Sequence, residues 1–130
     1  MMTTVQALVW SSILTFVMVL VASAFCAKVW APGGIMVAFG NREGVAPPVD
    51  MAGRSDRAAK NMIEGMVMFL ALVLAASIAG KAQQAAFGAT IFFWARVVYW
   101  PVYLAGIIYV RTLVWLISIL GLILILKEIW

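Results

Sequence analysis

The side chains able to do chemistry in this sequence fall at regular intervals inside otherwise apolar stretches. Arg54, Arg57, Asn61, Glu64 and Met68 are spaced by three, four, three and four residues, which sets them on one face of a helix. Arg96, Tyr99 and Tyr103 stand at i, i+3 and i+7; they too share a face if Pro101 leaves the turn intact. Arg111 and Thr112 follow. Guanidinium forks match carboxylates bidentately, Glu64 can receive an ammonium group, and the tyrosines offer hydroxyls on flat apolar walls. The set suits a zwitterionic ligand rich in carboxylates, and an arginine beside a thiol would also lower that thiol's pKa.

Other chemistries are excluded by what is absent. The chain has no histidine and one cysteine, Cys26, so Cys/His zinc sites, Ser-His-Asp triads and histidine bases are ruled out together. Cys26 is most simply a small hydrophobe. The five acids, Glu43, Asp50, Asp56, Glu64 and Glu128, are too scattered to cage a cation, and no metal is expected.

The elements that must position these residues are read from composition. Of 130 residues, 66% are hydrophobic and 11% charged, with mean hydropathy +1.10. A soluble domain has about a quarter of its residues charged, so a water-soluble globule does not fit. Disorder fits less, because it needs low hydrophobicity and high charge. A net charge of +4 in so apolar a chain points to a membrane surface or an anionic ligand; nucleic acid would need a polar basic surface.

Four stretches approach the ~20 apolar residues that cross a bilayer. They cover about 5–27, 57–79, 82–104 and 106–126, with one polar loop over about 28–56. Their continuity argues against strands, which alternate in membrane barrels. The expected architecture is all-α: a single antiparallel four-helix transmembrane bundle. Trp100-Pro101 should bend or interrupt the third span, since Pro101 cannot donate to the carbonyl of Val97. The first span reads as retained rather than as a cleaved leader, because no Lys or Arg precedes its apolar run.

Lys and Arg are unevenly divided among the loops. Lys28, Arg42, Arg54, Arg57 and Lys60 flank the first loop and Arg96 and Arg111 the third, whereas the other side has only Lys81 and Lys127. The positive-inside rule puts the first loop in the cytoplasm and both termini outside. Arg57, Asn61, Glu64, Arg96, Tyr99, Tyr103 and Arg111 then lie at similar depth on three spans. A charge in hydrocarbon costs at least ~2.5–3.5 kcal/mol, so these groups should turn inward and find partners. Lys28, Arg42, Lys60 and Lys127 read simply as residues that snorkel to the headgroups. Glu64 should pair with Arg96 or Arg111, accept hydrogen bonds, or be protonated.

At this point the sequence resembles a known family, the membrane-associated proteins in eicosanoid and glutathione metabolism (MAPEG). Its members include microsomal glutathione transferases and leukotriene C4 synthase. The resemblance rests on Arg54-Ser55-Asp56-Arg57-Ala58-Ala59-Lys60-Asn61-Met62-Ile63-Glu64, read as R-x-x-R-A-x-x-N-x-x-E. It is extended by Arg96-Val97-Val98-Tyr99-Trp100-Pro101-Val102-Tyr103 and Arg111-Thr112, and it spans essentially the whole chain. Gly40-Asn41-Arg42-Glu43 is similar to the bacterial members, which implies a bacterial inner membrane. The family implies a homotrimer binding glutathione between neighbouring subunits near the cytoplasmic side. Glutathione, with two carboxylates, an ammonium and a thiol, answers the requirements set out above.

By motif match, Arg54, Arg57, Asn61 and Glu64 would belong to the glutathione site, with Tyr99, assisted by Arg96, and Tyr103. Arg111 would stabilise the thiolate and so carry the catalysis. Two positions depart from the pattern: Gly53 replaces a common glutamate, and Gly65 replaces an aromatic that follows the glutamate in several members. The implied activity is transfer of glutathione to a hydrophobic electrophile from the bilayer, with hydroperoxide reduction as a related outcome. The alternatives are a non-catalytic membrane binding or scaffold protein of the same fold and, more distantly, a small multidrug transporter. Transporters of that kind carry their acid in the first span, which here is uncharged.

Overall fold

A computed structural model describes residues 1–130 and contains helices joined by turns and loops. The elements are α1 (Thr4–Ala27), α2 (Gly34–Phe39), α3 (Asp50–Ile78), α4 (Ala82–Ala105) and α5 (Ile108–Ile129). Four of them, α1, α3, α4 and α5, are long and apolar enough to cross a membrane.

The ends of the helices follow from local chemistry. Thr3 and Gln6 form a reciprocal capping box at the start of α1, with bonds of 3.0 and 3.1 Å, satisfying two donors that the first turn leaves free. Gly80 and Gly106, at φ +71° and +76°, take the left-handed conformations that let the chain reverse after α3 and α4.

The structure differs from the expected elements in two places. The second long helix begins at Asp50 rather than near Arg57, so the polar loop ends earlier and itself contains the short α2. The first turns of α3 are polar yet helical: Asp50 sits at the positive end of the helix dipole, and Lys60 pairs with Asp56 at 2.8 Å across one turn. Hydrophobicity marks where a span enters the bilayer, whereas hydrogen bonding marks where the helix begins. Nor does Pro101 interrupt its helix, which continues to Ala105. Proline removes one backbone bond, and the packing on either side holds the turn.

Helix α4 lies at the centre and packs against α1, α3 and α5. Half of its apolar window is buried, against 17% for α1 and 28% each for α3 and α5. One core layer stacks Phe69 of α3 on Phe92 of α4 at 4.2 Å. The other gathers Met18, Met62, Tyr99 and Tyr103 beside the polar layer. Between α4 and α5, Gly88 and Gly121 bring two backbones together: a Cβ on Gly88 would lie 2.6 Å from the carbonyl oxygen of Gly121. The outward faces, including Val67, Leu74 and Leu116, remain exposed and apolar.

Candidate functional site

Three helices contribute to one polar cavity. Asn61 from α3, Tyr99 and Tyr103 from α4, and Arg111, Thr112 and Trp115 from α5 line a space of about 240 Å³. The turn at Gly106 makes this possible by folding the start of α5 back beside the end of α4. The guanidinium of Arg111 lies over the Tyr103 ring, with Cζ 4.6 Å from its centroid, a cation–π contact that holds the charge at the cavity wall. Tyr103 in turn meets Tyr99 edge to face at 5.4 Å. A guanidinium, hydroxyls, a carboxamide and an indole line the space, with no carboxylate. Such a lining favours a guest rich in acceptors.

A smaller cavity of about 170 Å³ adjoins the first and shares Asn61 and Trp115 with it. Met68, Ile119 and Leu122 make it more apolar, and Glu64 stands on its wall. Arg96 also reaches this region. It is 1% exposed and donates from Nη1 to Oδ1 of Asn61 at 2.6 Å. Its guanidinium stacks near Phe92 and Tyr99, 5.2 and 5.3 Å from their centroids.

The structure therefore brings Asn61, Tyr99, Tyr103 and Arg111 to one cavity and Asn61, Arg96 and Glu64 to the one adjoining it, and it places the other two candidates, Arg54 and Arg57, elsewhere. Arg54 donates from Nε to the carbonyl of Leu104 at 2.9 Å. It caps carbonyls that the end of α4 leaves free, and does not line the cavity. Arg57 is exposed on α3 and lies against Gly53, whose absent Cβ would be 3.2 Å from its Nη1. Glu64 is exposed, and of the outcomes open to it a pair with Arg96 or Arg111 is not formed within the subunit; Lys60–Asp56 is the sole ion pair. The reason is angular. Successive helix positions differ by about 100°, so the inward gap at Gly65 receives Arg96 while Glu64 stands at the exposed edge of the adjoining cavity.

Trp115 escaped the sequence reading although it links the two cavities. A signal existed: it stands four residues after Arg111, hence on the same face of α5. Cys26 lies elsewhere, on a groove between α1 and α3 that shares no residue with the polar cavity.

Compared with known proteins, the chain matches the model of the MAPEG family over residues 3–128. No curated protein and no solved structure matches it.

Proposed function

The chain belongs to the MAPEG family, and from that premise we propose that it is a membrane glutathione transferase using the Asn61–Arg111 cavity. Four apolar helices make it an integral, multi-pass membrane protein. The observation that carries the proposal is the cavity itself: a guanidinium, two tyrosine hydroxyls and a carboxamide converge from three helices without a carboxylate among them.

In this reading the thiol of glutathione sits against Arg111 and loses its proton to water, since the chain has no histidine to accept it. The guanidinium stabilises the resulting thiolate electrostatically, as fixed charge does for developing anions elsewhere. The sulfur lone pair then forms a C–S bond to the electrophile. The displaced pair leaves with the leaving group, or moves into a conjugated acceptor that water protonates. The adjoining space has an apolar wall of Met68, Ile119 and Leu122 alongside polar groups from Asn61, Glu64 and Arg96; it suits an electrophile with an apolar body, held beside the nucleophile so that encounter is effectively intramolecular.

Arg57 and Glu64 support a further part of the proposal. Both are exposed on a helix whose apolar part crosses the bilayer, and neither has an ionic partner within its own subunit. Charge facing lipid is costly, so a second copy of the chain is the natural cover. We place glutathione at that junction in a homotrimer, with Arg57 and Glu64 completing the site for its carboxylates and ammonium. The charge asymmetry of the loops favours a site opening to the cytoplasm with both termini outside.

Isothermal titration of the purified protein with glutathione, followed by turnover with a chlorinated aromatic electrophile, tests the reading. Saturable binding with conjugate formation is expected. Binding without turnover on any electrophile would instead make the protein a non-catalytic member of the fold, and absence of binding would overturn the assignment.

A further inference from the structure

Arg96 is the most buried large polar side chain in the protein, and it has no carboxylate partner. Its Nε has no hydrogen-bond partner of any kind. The space that holds it is supplied by a missing side chain. A Cβ at position 65 would come within 2.6 Å of Nη2 and 3.1 Å of Cζ, so the guanidinium lies across bare α3 backbone, between that helix and the rings of Phe92 and Tyr99. What Arg96 reaches from this seat is Asn61 Oδ1, at 2.6 Å.

An arginine can only donate. The carboxamide atom facing it must therefore be the oxygen, and the amide nitrogen is the branch left to meet a guest. We infer that Arg96, seated in the gap at Gly65, is a positioning residue that fixes the Asn61 carboxamide so its N–H donors serve the cavity. Arg96 does not line the larger cavity itself. The inference rests on the proposed glutathione site and deepens it, because it specifies the group that the free Asn61 N–H donors receive: an acceptor, carboxylate or thiolate. It also accounts for glycine at position 65. Any larger residue there displaces the guanidinium and frees the carboxamide to rotate.

The test uses glutathione titration of the full-length protein in lipid nanodiscs, with thermal unfolding measured alongside. Gly65→Ala and Arg96→Lys should bind glutathione roughly tenfold or more weakly, the range of a lost hydrogen bond to a charged group. Asn61→Asp is the discriminating variant. It keeps, and strengthens, the contact with Arg96, yet turns an acceptor toward the cavity. Its unfolding midpoint should hold or rise while glutathione binding falls at least as far as in Gly65→Ala. Wild-type affinity in either Gly65→Ala or Asn61→Asp would overturn the inference: the first would show that the seat at Gly65 is not needed, the second that Asn61 presents no donor to the guest.

A second readout does not depend on glutathione. The chain has two asparagines, Asn41 and Asn61, so nitrogen-15 labelling of asparagine gives two side-chain amide signals, each a nitrogen with a pair of proton peaks, and Asn61→Asp identifies one. That signal should shift in Gly65→Ala and Arg96→Lys. If the wild type fails to bind glutathione but the signal shifts, the transferase reading falls and the positioning role stands. If the signal stays in place, the positioning role falls.

Discussion

At the level of single side chains, Arg111→Ala tests whether the cation over the Tyr103 ring stabilises a thiolate. The variant should keep its fold, because Arg111 is only half-buried and stands at the start of α5. Its ultraviolet thiolate absorbance on adding glutathione should disappear, and kcat should fall roughly 10²-fold, the usual loss for one preorganised electrostatic group. Unchanged absorbance would remove Arg111 from the chemistry. Tyr103 separates two roles that Arg111 cannot. Tyr103→Phe keeps the ring beneath the guanidinium and loses only the hydroxyl, whereas Tyr103→Ala removes a contact worth about 0.5–2 kcal/mol. If the ring holds Arg111 in place, the alanine variant loses about fivefold or more in kcat/KM and the phenylalanine variant much less. Equal losses in the two would show that the hydroxyl, not the ring, is what matters.

Between elements, the position of α5 depends on how closely it approaches α4. Gly88 and Gly121 face each other through backbone alone, and lipid offers no hydrophobic drive to bring two helices together, so small residues and close packing do that work. Gly88→Ala must move a backbone, because the nearest obstacle is a carbonyl oxygen at 2.6 Å and not a flexible side-chain tip. The expected cost is about 1–3 kcal/mol, read as a lower unfolding midpoint in detergent. The displaced α5 should also weaken glutathione binding, since Arg111, Thr112 and Trp115 travel with it. A variant with wild-type stability would show that the two helices are held elsewhere. Arg54 belongs to this scale as well. Its bond to Leu104 ties α3 to the end of α4, so it contributes to the alignment of the two helices.

For the whole molecule, the expected topology places the loop around Glu43 in the cytoplasm. In a Cys26→Ser background, a cysteine introduced at Glu43 should react with a membrane-impermeant maleimide only from the cytoplasmic face. One introduced at Trp130 should react only from the other. The reverse pattern would contradict the charge asymmetry on which the orientation rests. Cross-linking in native membranes should give a ladder ending at three subunits, and Glu64→Leu, which removes a charge from an exposed face of α3, should weaken glutathione binding more than it weakens the fold. A monomer that binds glutathione at wild-type affinity would place the whole site within one subunit.

Much of the architecture was legible in the residues themselves. Long apolar runs can satisfy their backbone in a bilayer only as helices, so the four spans and the all-helical class follow from composition. The stripe from Arg54 to Glu64 follows from helical periodicity. Periodicity states which residues share a face; it does not say what that face meets. Whether an arginine joins a cavity, caps a neighbouring helix or lies on the surface depends on the rotation of α3 against α4 and α5. That rotation is set by contacts as small as the bare backbone at Gly65, Gly88 and Gly121. Tertiary packing thus gathered Asn61, Arg96 and Arg111 around two adjoining spaces, turned Arg54 to the end of α4, and left Arg57 and Glu64 exposed, Glu64 at the edge of the second space. Side chains of one chemical type were separated by the rotation of each helix, which only a packed bundle determines.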